Sequence, residues 1–199
     1  MLLPSYWKEF PLMNVWFWYV IWYSFLGYCL EKLFAHLTRS PRRVRKCFLL
    51  LPLCPVYGIA MAAVVALLDP TDSLLRLALL GGVICTAAEY LVHLFYDRAF
   101  HVRFWDYTGL PLQLGGRVCL AFSMAWGVLS ALALRFVQPV LIRLTAILPP
   151  TVTFLLWLVL AADCVLSGSL LFHSRDTELL SLRALRAQIR ASSQSSTSR

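Results

Sequence analysis

The stretch from Leu74 to Tyr96 reads LLRLALLGGVICTAAEYLVHLFY, and its length and composition constrain the whole architecture. It is almost entirely apolar over about 20 residues, the length that an α-helix needs to cross a hydrocarbon core of about 30 Å. Lipid offers the backbone no hydrogen-bond partner, so the stretch is expected to be helical and to bond its own N–H and C=O groups.

The rest of the chain repeats this pattern. With 14% charged residues and a mean hydropathy of +0.71, the 199-residue chain is too apolar for a soluble domain and too short for more than one bundle. We therefore predict an all-α fold, a polytopic transmembrane helix bundle of about five spans over residues 1–173. The other four predicted spans are Met13 to His36, Cys47 to Leu68, Val118 to Val137 and Val152 to Phe172.

Basic residues concentrate in two places, the run TRSPRRVRK (Thr38 to Lys46) and the segment after Phe172. The positive-inside rule puts both in the cytoplasm, and an odd number of spans is consistent with that. We predict a multi-pass protein of the cell membrane, N-terminus out and C-terminus in, with a cytoplasmic basic helix and disordered tail at 174–199. Its expected partners are the bilayer and anionic lipid at the cytoplasmic face, and no nucleic acid.

Three ionisable residues inside the predicted spans, Glu31, Glu89 and Asp163, raise the question of function, and Arg117 at a cytoplasmic end is one of the basic residues that could pair with them. A charge at the centre of an inserted helix costs about 2.5–3.5 kcal/mol, so each one needs a partner, a cavity or an interfacial position. Two interpretations stay open, packing pairs that fix which helices adjoin, and a path for an ion, a proton or an anionic substrate. The predicted polar cluster consists of Glu31, Glu89, Asp163 and Arg117.

A metal site is weakly indicated. Glu89 and His93 stand four residues apart and could share a metal with Glu31 or Asp163, but a single His beside Tyr and Glu is more often a hydrogen-bonded core residue. The six cysteines show no C-x-x-C spacing and read as small core residues. We expect no metal and no cofactor.

Prolines interrupt the second predicted span. Pro52 and Pro55 lie three apart in LPLCPVYG, and proline removes an N–H and clashes with the preceding turn. This helix is expected to be broken or to follow an irregular entry, in a motif that also includes Tyr57 and Gly58. Further on, FVQPVLIRLTAILPP is expected to form a short helix at the outer interface.

The connection FHVRFWDYTGLPLQLGGRVCL (100–120) is too polar to span and too aromatic to extend into water. We predict a cytoplasmic re-entrant or interfacial segment that folds back as a lid, with Trp105 and Tyr107 at the headgroup level and a tight turn at Gly115 and Gly116. Asp106 is expected to pair with Arg103 or Arg117. The predicted lid residues are His101, Arg103, Trp105, Asp106, Tyr107 and Gly116.

An ordered set of motifs runs along the chain and ends in the helix that contains Asp163. The motifs are GYxLE (27–31), PLCPVYG (52–58), EY (89–90), FHVRFWDY (100–107), GRVCL (116–120) and WG (126–127). This set resembles the bacterial membrane proteins described as putative ABC-transporter type IV, or CmpB-type permease-like proteins, a family of unknown function. The likeness runs from about Gly27 to Asp163 and implies a permease-like bundle that works with separate transporter subunits or as a homo-oligomer.

Three functions follow from these observations. The first is a permease-like or channel-like protein, such as a transporter subunit, with an intramembrane acidic cluster; the chain carries no Walker motif of its own. The second is an interfacial enzyme acting on lipid or peptide, in which Asp106 and His101 do acid and base work while Arg117 holds a phosphate. The third is a non-catalytic membrane scaffold. An enzyme is the less favoured interpretation.

Overall fold

The computed structural model describes residues 12–38 and 47–180. Most of the predicted basic run and all of the tail after residue 180 lie outside these ranges. The described part of the chain is all-α, with five helices, as the sequence predicts. They are α1 (Leu12–Leu37), α2 (Pro55–Leu67), α3 (Leu74–Ala99), α4 (Leu120–Ala146) and α5 (Pro150–Ser174).

Three of these helices, α3, α4 and α5, are long and apolar enough to cross a membrane, counted over the described residues. α1 has a similar length of 26 residues but is rich in Trp and Tyr, which lower its hydropathy. α2 has only 13 residues, because the first part of its predicted span is not helical. The number of spans and the side on which each terminus lies stay predictions.

The irregular entry to α2 is confirmed. Residues 47–54 form bends without helix, and α2 begins at Pro55, where a missing N–H costs no intrahelical hydrogen bond. A disulfide joins Cys47 to Cys54 across this segment, so two of the six cysteines are not the free core residues that their spacing indicates. The backbone N–H of Cys54 donates to the carbonyl oxygen of Ser24 on α1 at 2.9 Å, which seats the entry against the first helix.

α4 continues past the point where its span is predicted to end. Pro139 does not terminate it, because the five residues Ala133–Val137 form a π turn and the α-helix resumes at Gln138–Ala146 with proline in its first turn. Proline has no N–H to donate to the preceding turn, and its ring clashes with a carbonyl group of that turn. The wider π turn accommodates both effects. The separate interfacial helix expected here is therefore the end of α4.

The core lies where α1 to α4 meet. α3 and α4 cross so closely that a Cβ at Gly127 would stand 2.5 Å from the carbonyl oxygen of Ala78. Small residues allow helix backbones in a membrane to approach each other in this way. α1 also meets α2 closely, with Gly58 against Ser24. The buried core side chains include Tyr23, Met61, Val64, Leu77, Cys85, Trp126, Leu134 and Leu141.

α5 packs on the other side of α1. The indole N–H of Trp18 donates to the hydroxyl of Thr153 at 2.9 Å, and both side chains are buried. Next to Trp18 on α1, the ring of Phe17 stacks on Trp157, which lies one turn after Thr153 on α5, with centroids 4.9 Å apart. A buried hydrogen bond between two helices fixes their relative rotation, which apolar contacts alone do not.

The connection between α3 and α4 ends in a small hairpin. Strand β1 (Gln113–Leu114) pairs antiparallel with β2 (Val118–Cys119), and the turn between them contains Gly115 and Gly116 at positive φ. The tight turn expected at this glycine pair is therefore present. The backbone N–H of Tyr107 donates to the carbonyl oxygen of Gly116 at 2.8 Å, so the hairpin holds the earlier part of the connection.

Candidate functional site

A cavity of about 170 Å³ opens between α1, α2, α3, α4 and the segment that precedes the hairpin. Its wall is mostly apolar and aromatic, with two glutamates among the described residues that line it. We call it the glutamate cavity. Its described lining is Leu30, Glu31, Phe34, Cys47, Phe48, Cys54, Pro55, Val56, Tyr57, Glu89, Tyr96, Phe104, Trp105, Tyr107, Phe122, Ala125, Trp126 and Leu129.

Glu89 on α3 is the more deeply buried of the two, with 4% of its surface exposed. Its Oε1 accepts a hydrogen bond from the hydroxyl of Tyr107 at 2.9 Å, and its Oε2 accepts one from the indole N–H of Trp126 at 2.9 Å. Each carboxyl oxygen thus has a donor, as a buried carboxylate requires. The two donors come from the connection and from α4, so Glu89 joins three parts of the fold.

Glu31 approaches the same cavity from α1. The hydroxyl of Tyr57, in the third position of α2, donates to Oε1 of Glu31 at 2.8 Å. The Tyr57 ring lies against Trp126, with ring centroids 4.8 Å apart. The proline motif therefore fixes the start of α2 so that Tyr57 bonds Glu31. It also places the Tyr57 ring against Trp126, which donates a hydrogen bond to Glu89.

Tyr107 is buried inside the protein. It is 3% exposed, and its ring stacks on Phe122 of α4 with centroids 4.9 Å apart. Trp105 is half-buried, and its indole N–H donates to the carbonyl oxygen of Arg117 at 2.9 Å. The connection thus packs into the bundle through its aromatic side chains, because both also find hydrogen-bond partners there.

Asp163 does not line the glutamate cavity, although the sequence groups it with the glutamates. It lies on α5 and accepts hydrogen bonds from the backbone N–H groups of Leu50 and Leu51, at 3.2 and 3.0 Å. The hydroxyl of Ser167 also donates to it at 3.2 Å. Non-helical backbone inside a membrane protein needs such partners, so Asp163 holds the irregular entry to α2.

Arg117 also lies outside the described lining of the glutamate cavity. Its guanidinium pairs with Asp97 at the end of α3, at 3.0 Å, and Arg103 pairs with the same carboxylate at 3.6 Å. The sequence predicts Asp106 as the partner of these arginines, and the structure pairs them with Asp97. The four residues of the predicted polar cluster therefore occupy three places.

Asp106 instead forms a local turn. Its Oδ1 accepts a hydrogen bond from the backbone N–H of Thr108 at 2.9 Å, and this bond holds the pKa of the carboxyl below its usual range. A Cβ at Gly116 would stand 2.6 Å from the same oxygen, and Gly116 has a φ of +70°. Glycine is favoured there both by the backbone conformation and by the close approach of Asp106.

The residues suggested for an interfacial enzyme have different local settings. His101 is exposed, Arg117 pairs with Asp97, and Asp106 bonds the backbone of Thr108. His93, by contrast, is buried on α3, and its Nε2 lies 3.1 Å from the carbonyl oxygen of Trp105. A carbonyl oxygen only accepts, so Nε2 is the donor, and His93 is a hydrogen-bonded core residue as the sequence favours.

Sequence reasoning missed several contributors to the cavity, among them Trp126, Phe34 and Phe122. Trp126 appears in a motif, but nothing in the sequence shows that its indole N–H meets Glu89. Phe34 follows Glu31 by three residues, so the helical period puts both on one face of α1, which is a usable signal. Phe122 precedes Trp126 by four residues, so the helical period puts these two on one face of α4 as well.

Comparison with known proteins gives one match. A family model described as Putative ABC-transporter type IV matches residues 17–168. The match takes in all the described residues that line the glutamate cavity. No match to a curated protein or to a solved structure was found.

Proposed function

Since the chain belongs to the Putative ABC-transporter type IV family, we propose that it is a permease-like, multi-pass protein of the cell membrane whose solute enters the glutamate cavity. Family membership and three apolar helices indicate a membrane protein with a transport role. The observation that supports the finer proposal is the position of Glu89, a buried carboxyl group on an apolar helix at the wall of a cavity. Such residues in membrane proteins usually belong to a pathway or a binding site.

The composition of the cavity supports the same conclusion. Ligand sites are typically apolar and aromatic concavities with a small number of placed polar groups. Here the aromatic wall surrounds two carboxyl groups, and Tyr57 and Tyr107 fix their orientation through hydrogen bonds. Simple packing pairs would fill such a space with side chains, whereas this arrangement leaves room for a small molecule.

The proposal includes the predicted setting of the protein. We infer an outer N-terminus and a cytoplasmic C-terminus from the placement of basic residues, with anionic lipid at the cytoplasmic face. Energy for active transport would come from separate ATP-hydrolysing subunits, since the sequence has no Walker motif. The chain would pair with such subunits or with a second copy of itself.

Cysteine accessibility tests solute entry without any partner subunit. Ala125 and Val128 are both exposed on α4, and of the two only Ala125 lines the glutamate cavity. In nanodiscs, a small water-soluble methanethiosulfonate reagent should modify Ala125→Cys at least tenfold faster than Val128→Cys, as measured by mass spectrometry. Water reaches a solute site but not a lipid-facing thiol, so equal and slow modification would rule out the proposal.

Flux is the second measurement. Proteoliposomes containing the purified chain are tested for counterflow of a panel of small solutes, with Glu89→Gln as the variant and Asp72→Asn as the control. Asp72 pairs with Arg76 in the loop before α3, and such exposed pairs contribute little to stability. We expect the flux of at least one solute to fall at least tenfold in Glu89→Gln and to stay unchanged in Asp72→Asn.

A further inference from the structure

We propose that a groove on the exposed surface of α3 and α4 binds one anionic phospholipid, with an acyl chain along the groove and the phosphate at a cluster of arginines. This inference rests on the membrane setting of the proposed function, not on a solute entering the glutamate cavity. The groove has a volume of about 760 Å³ and an almost entirely apolar wall. Its described lining comes from α3 (residues 78–91), from α4 (residues 120–128) and from Leu114 and Val118 of the hairpin. We call it the α3–α4 groove.

Small residues give the groove its depth. Gly82 and Gly127 line it and are both buried, and a Cβ at Gly82 would stand 3.2 Å from the Cα of Gly127. The exposed side chains of Leu79, Val83 and Met124 line it as well. In a concave apolar surface a hydrocarbon chain gains dispersion contacts from several sides, which it does not gain on a convex helix face. A lipid chain is therefore held more tightly in the groove than on the exposed faces of single helices.

The groove also has the length of an acyl chain in one leaflet. Its lining on α3 runs from Ala78 to Leu91, which at 1.5 Å per residue spans about 20 Å. One leaflet contributes half of a hydrocarbon core of about 30 Å. A chain that enters beside the hairpin therefore stays in the groove through the whole depth of its leaflet.

The hairpin end of the groove carries a group that binds phosphate. Arg117 lies in the hairpin between Leu114 and Val118, which both line the groove. Its guanidinium carbon stands 5.5 Å from the centroid of the Tyr90 ring, and Tyr90 also lines the groove. Guanidinium groups bind phosphate through paired N–H donors. The headgroup of a lipid whose chain lies in the groove therefore meets Arg117.

The described charges at this end favour an anion. Arg103 and Arg117 both pair with Asp97, at 3.6 and 3.0 Å. Arg98 follows Asp97 along the chain and is exposed, and the charge of Arg103 also acts on Asp106. Three arginines against two carboxylates leave a net positive charge, which attracts a lipid phosphate that carries no cation of its own.

A second copy of the chain is the other occupant that small residues favour, because they let helices approach closely. In a two-fold symmetric pair, both positive clusters would lie at the same depth in the membrane and repel each other. A lipid phosphate is instead attracted to the cluster, so the charge of this end favours the lipid.

The test compares two lipids on the full chain in detergent micelles by native mass spectrometry. Phosphatidylglycerol and phosphatidylcholine with the same acyl chains are added in equal amounts, so that only the headgroup differs. We expect one bound lipid and at least a fivefold excess of phosphatidylglycerol. Arg103→Gln and Arg117→Gln should each reduce this excess at least threefold, because each removes a cation at the hairpin end. Arg76→Gln removes the same charge near the opposite end of α3 and should leave the excess unchanged.

A second pair of variants tests the groove itself. Ala87 is exposed and lines the groove, so Ala87→Phe should fill it and reduce the binding of both lipids at least fivefold. Ala162→Phe adds the same ring at an exposed position of α5 and should bind both lipids as the wild type does.

Several results would overturn the lipid site. Equal amounts of the two bound lipids would refute the preference for an anion, and an excess unchanged in both arginine variants would assign it to other basic residues. Full binding in Ala87→Phe would place the lipid outside the groove. A wild-type dimer without lipid that becomes a monomer in Ala87→Phe would show that a second copy fills the groove. If Arg117→Gln does not elute as a folded protein, Arg103→Gln alone decides, because the Arg103 side chain is 53% exposed.

Discussion

The indole N–H of Trp126 on α4 donates to Oε2 of Glu89 on α3 at 2.9 Å, and both side chains are buried. Trp126→Phe keeps most of the ring and removes the donor. A buried hydrogen bond to a carboxylate contributes about 1.5–3 kcal/mol, so we expect a loss of that size in the free energy of unfolding, and a lower melting temperature in detergent micelles.

Trp157→Phe is the control for this change, because Trp157 lies on α5 with 47% of its surface exposed. Phenylalanine can still stack on Phe17 there. The melting temperature of Trp157→Phe should stay close to that of the wild type. A similar drop in both variants would mean that ring size, and not the bond to Glu89, determines the effect.

The crossing of α3 and α4 gives a second prediction. A methyl group at Gly127 would stand 2.5 Å from the carbonyl oxygen of Ala78, so Gly127→Ala forces the helices apart. Overpacking of this kind costs about 1–3 kcal/mol, measurable as a lower melting temperature. Gly109→Ala is the matched control, since a Cβ there meets no atom within 4 Å. Equal melting temperatures for the two variants would contradict the close crossing.

Asp163→Ala should loosen the entry to α2. The variant removes the acceptor of the Leu51 N–H group, and unbonded amides exchange their protons faster. The Leu50 N–H group loses one acceptor but also donates to the hydroxyl oxygen of Ser167 at 3.3 Å. In hydrogen–deuterium exchange we expect the Leu51 amide to exchange at least tenfold faster than in the wild type, and the Leu50 amide to change less because it keeps its bond to Ser167. Asp163→Asn keeps one carbonyl oxygen and should give an intermediate rate. Unchanged exchange in Asp163→Ala would show that another group bonds these amides.

The disulfide predicts how many cysteines an alkylating reagent modifies. The structure joins Cys47 to Cys54 and leaves Cys29 and Cys164 exposed, with two more cysteines free and buried. After denaturation without reductant, alkylation should therefore modify four of the six cysteines, and with reductant all six. Six adducts without reductant would contradict the disulfide.

The same bond reports on the side of the membrane. Disulfides persist in oxidising compartments and are rare in the cytosol, whereas the positive-inside rule places this end of α2 on the cytoplasmic side. Free thiols are trapped by alkylation in intact cells, and the alkylation is completed after denaturation without reductant, so that the two buried cysteines are counted in both settings. Four adducts there would support an external location for Cys47 and Cys54, and six would support the predicted orientation.

Some of the structure could be predicted because it depends on local rules. Apolar length predicts α1, α3 and α5, Pro52 and Pro55 predict the irregular entry, and the glycine pair at 115–116 predicts the turn. Each of these signals acts within a few residues along the chain. The end of α4 was harder, because Pro139 usually stops a helix and the π turn that accommodates it leaves no clear mark in the sequence.

The candidate site could be predicted only in part, because its bonds join distant residues. The presence of Glu31 and Glu89 in apolar helices indicates that each needs partners, but not which ones. Tyr107 and Trp126 are 18 and 37 residues from Glu89, and the order of helices in the bundle determines that they meet it. Asp163 shows the same limit, since an aspartate in a span suggests a charged partner and the actual donors are backbone amides.

The contact of Asp163 with the entry to α2 also bears on the order in which the protein is assembled. Leu50 and Leu51 precede Asp163 by 113 and 112 residues, so a ribosome makes these amides long before their acceptor. Until α5 is inserted, the entry segment must bond water or the translocation machinery. One wall of the glutamate cavity is therefore completed only after the last of the described helices has joined the bundle.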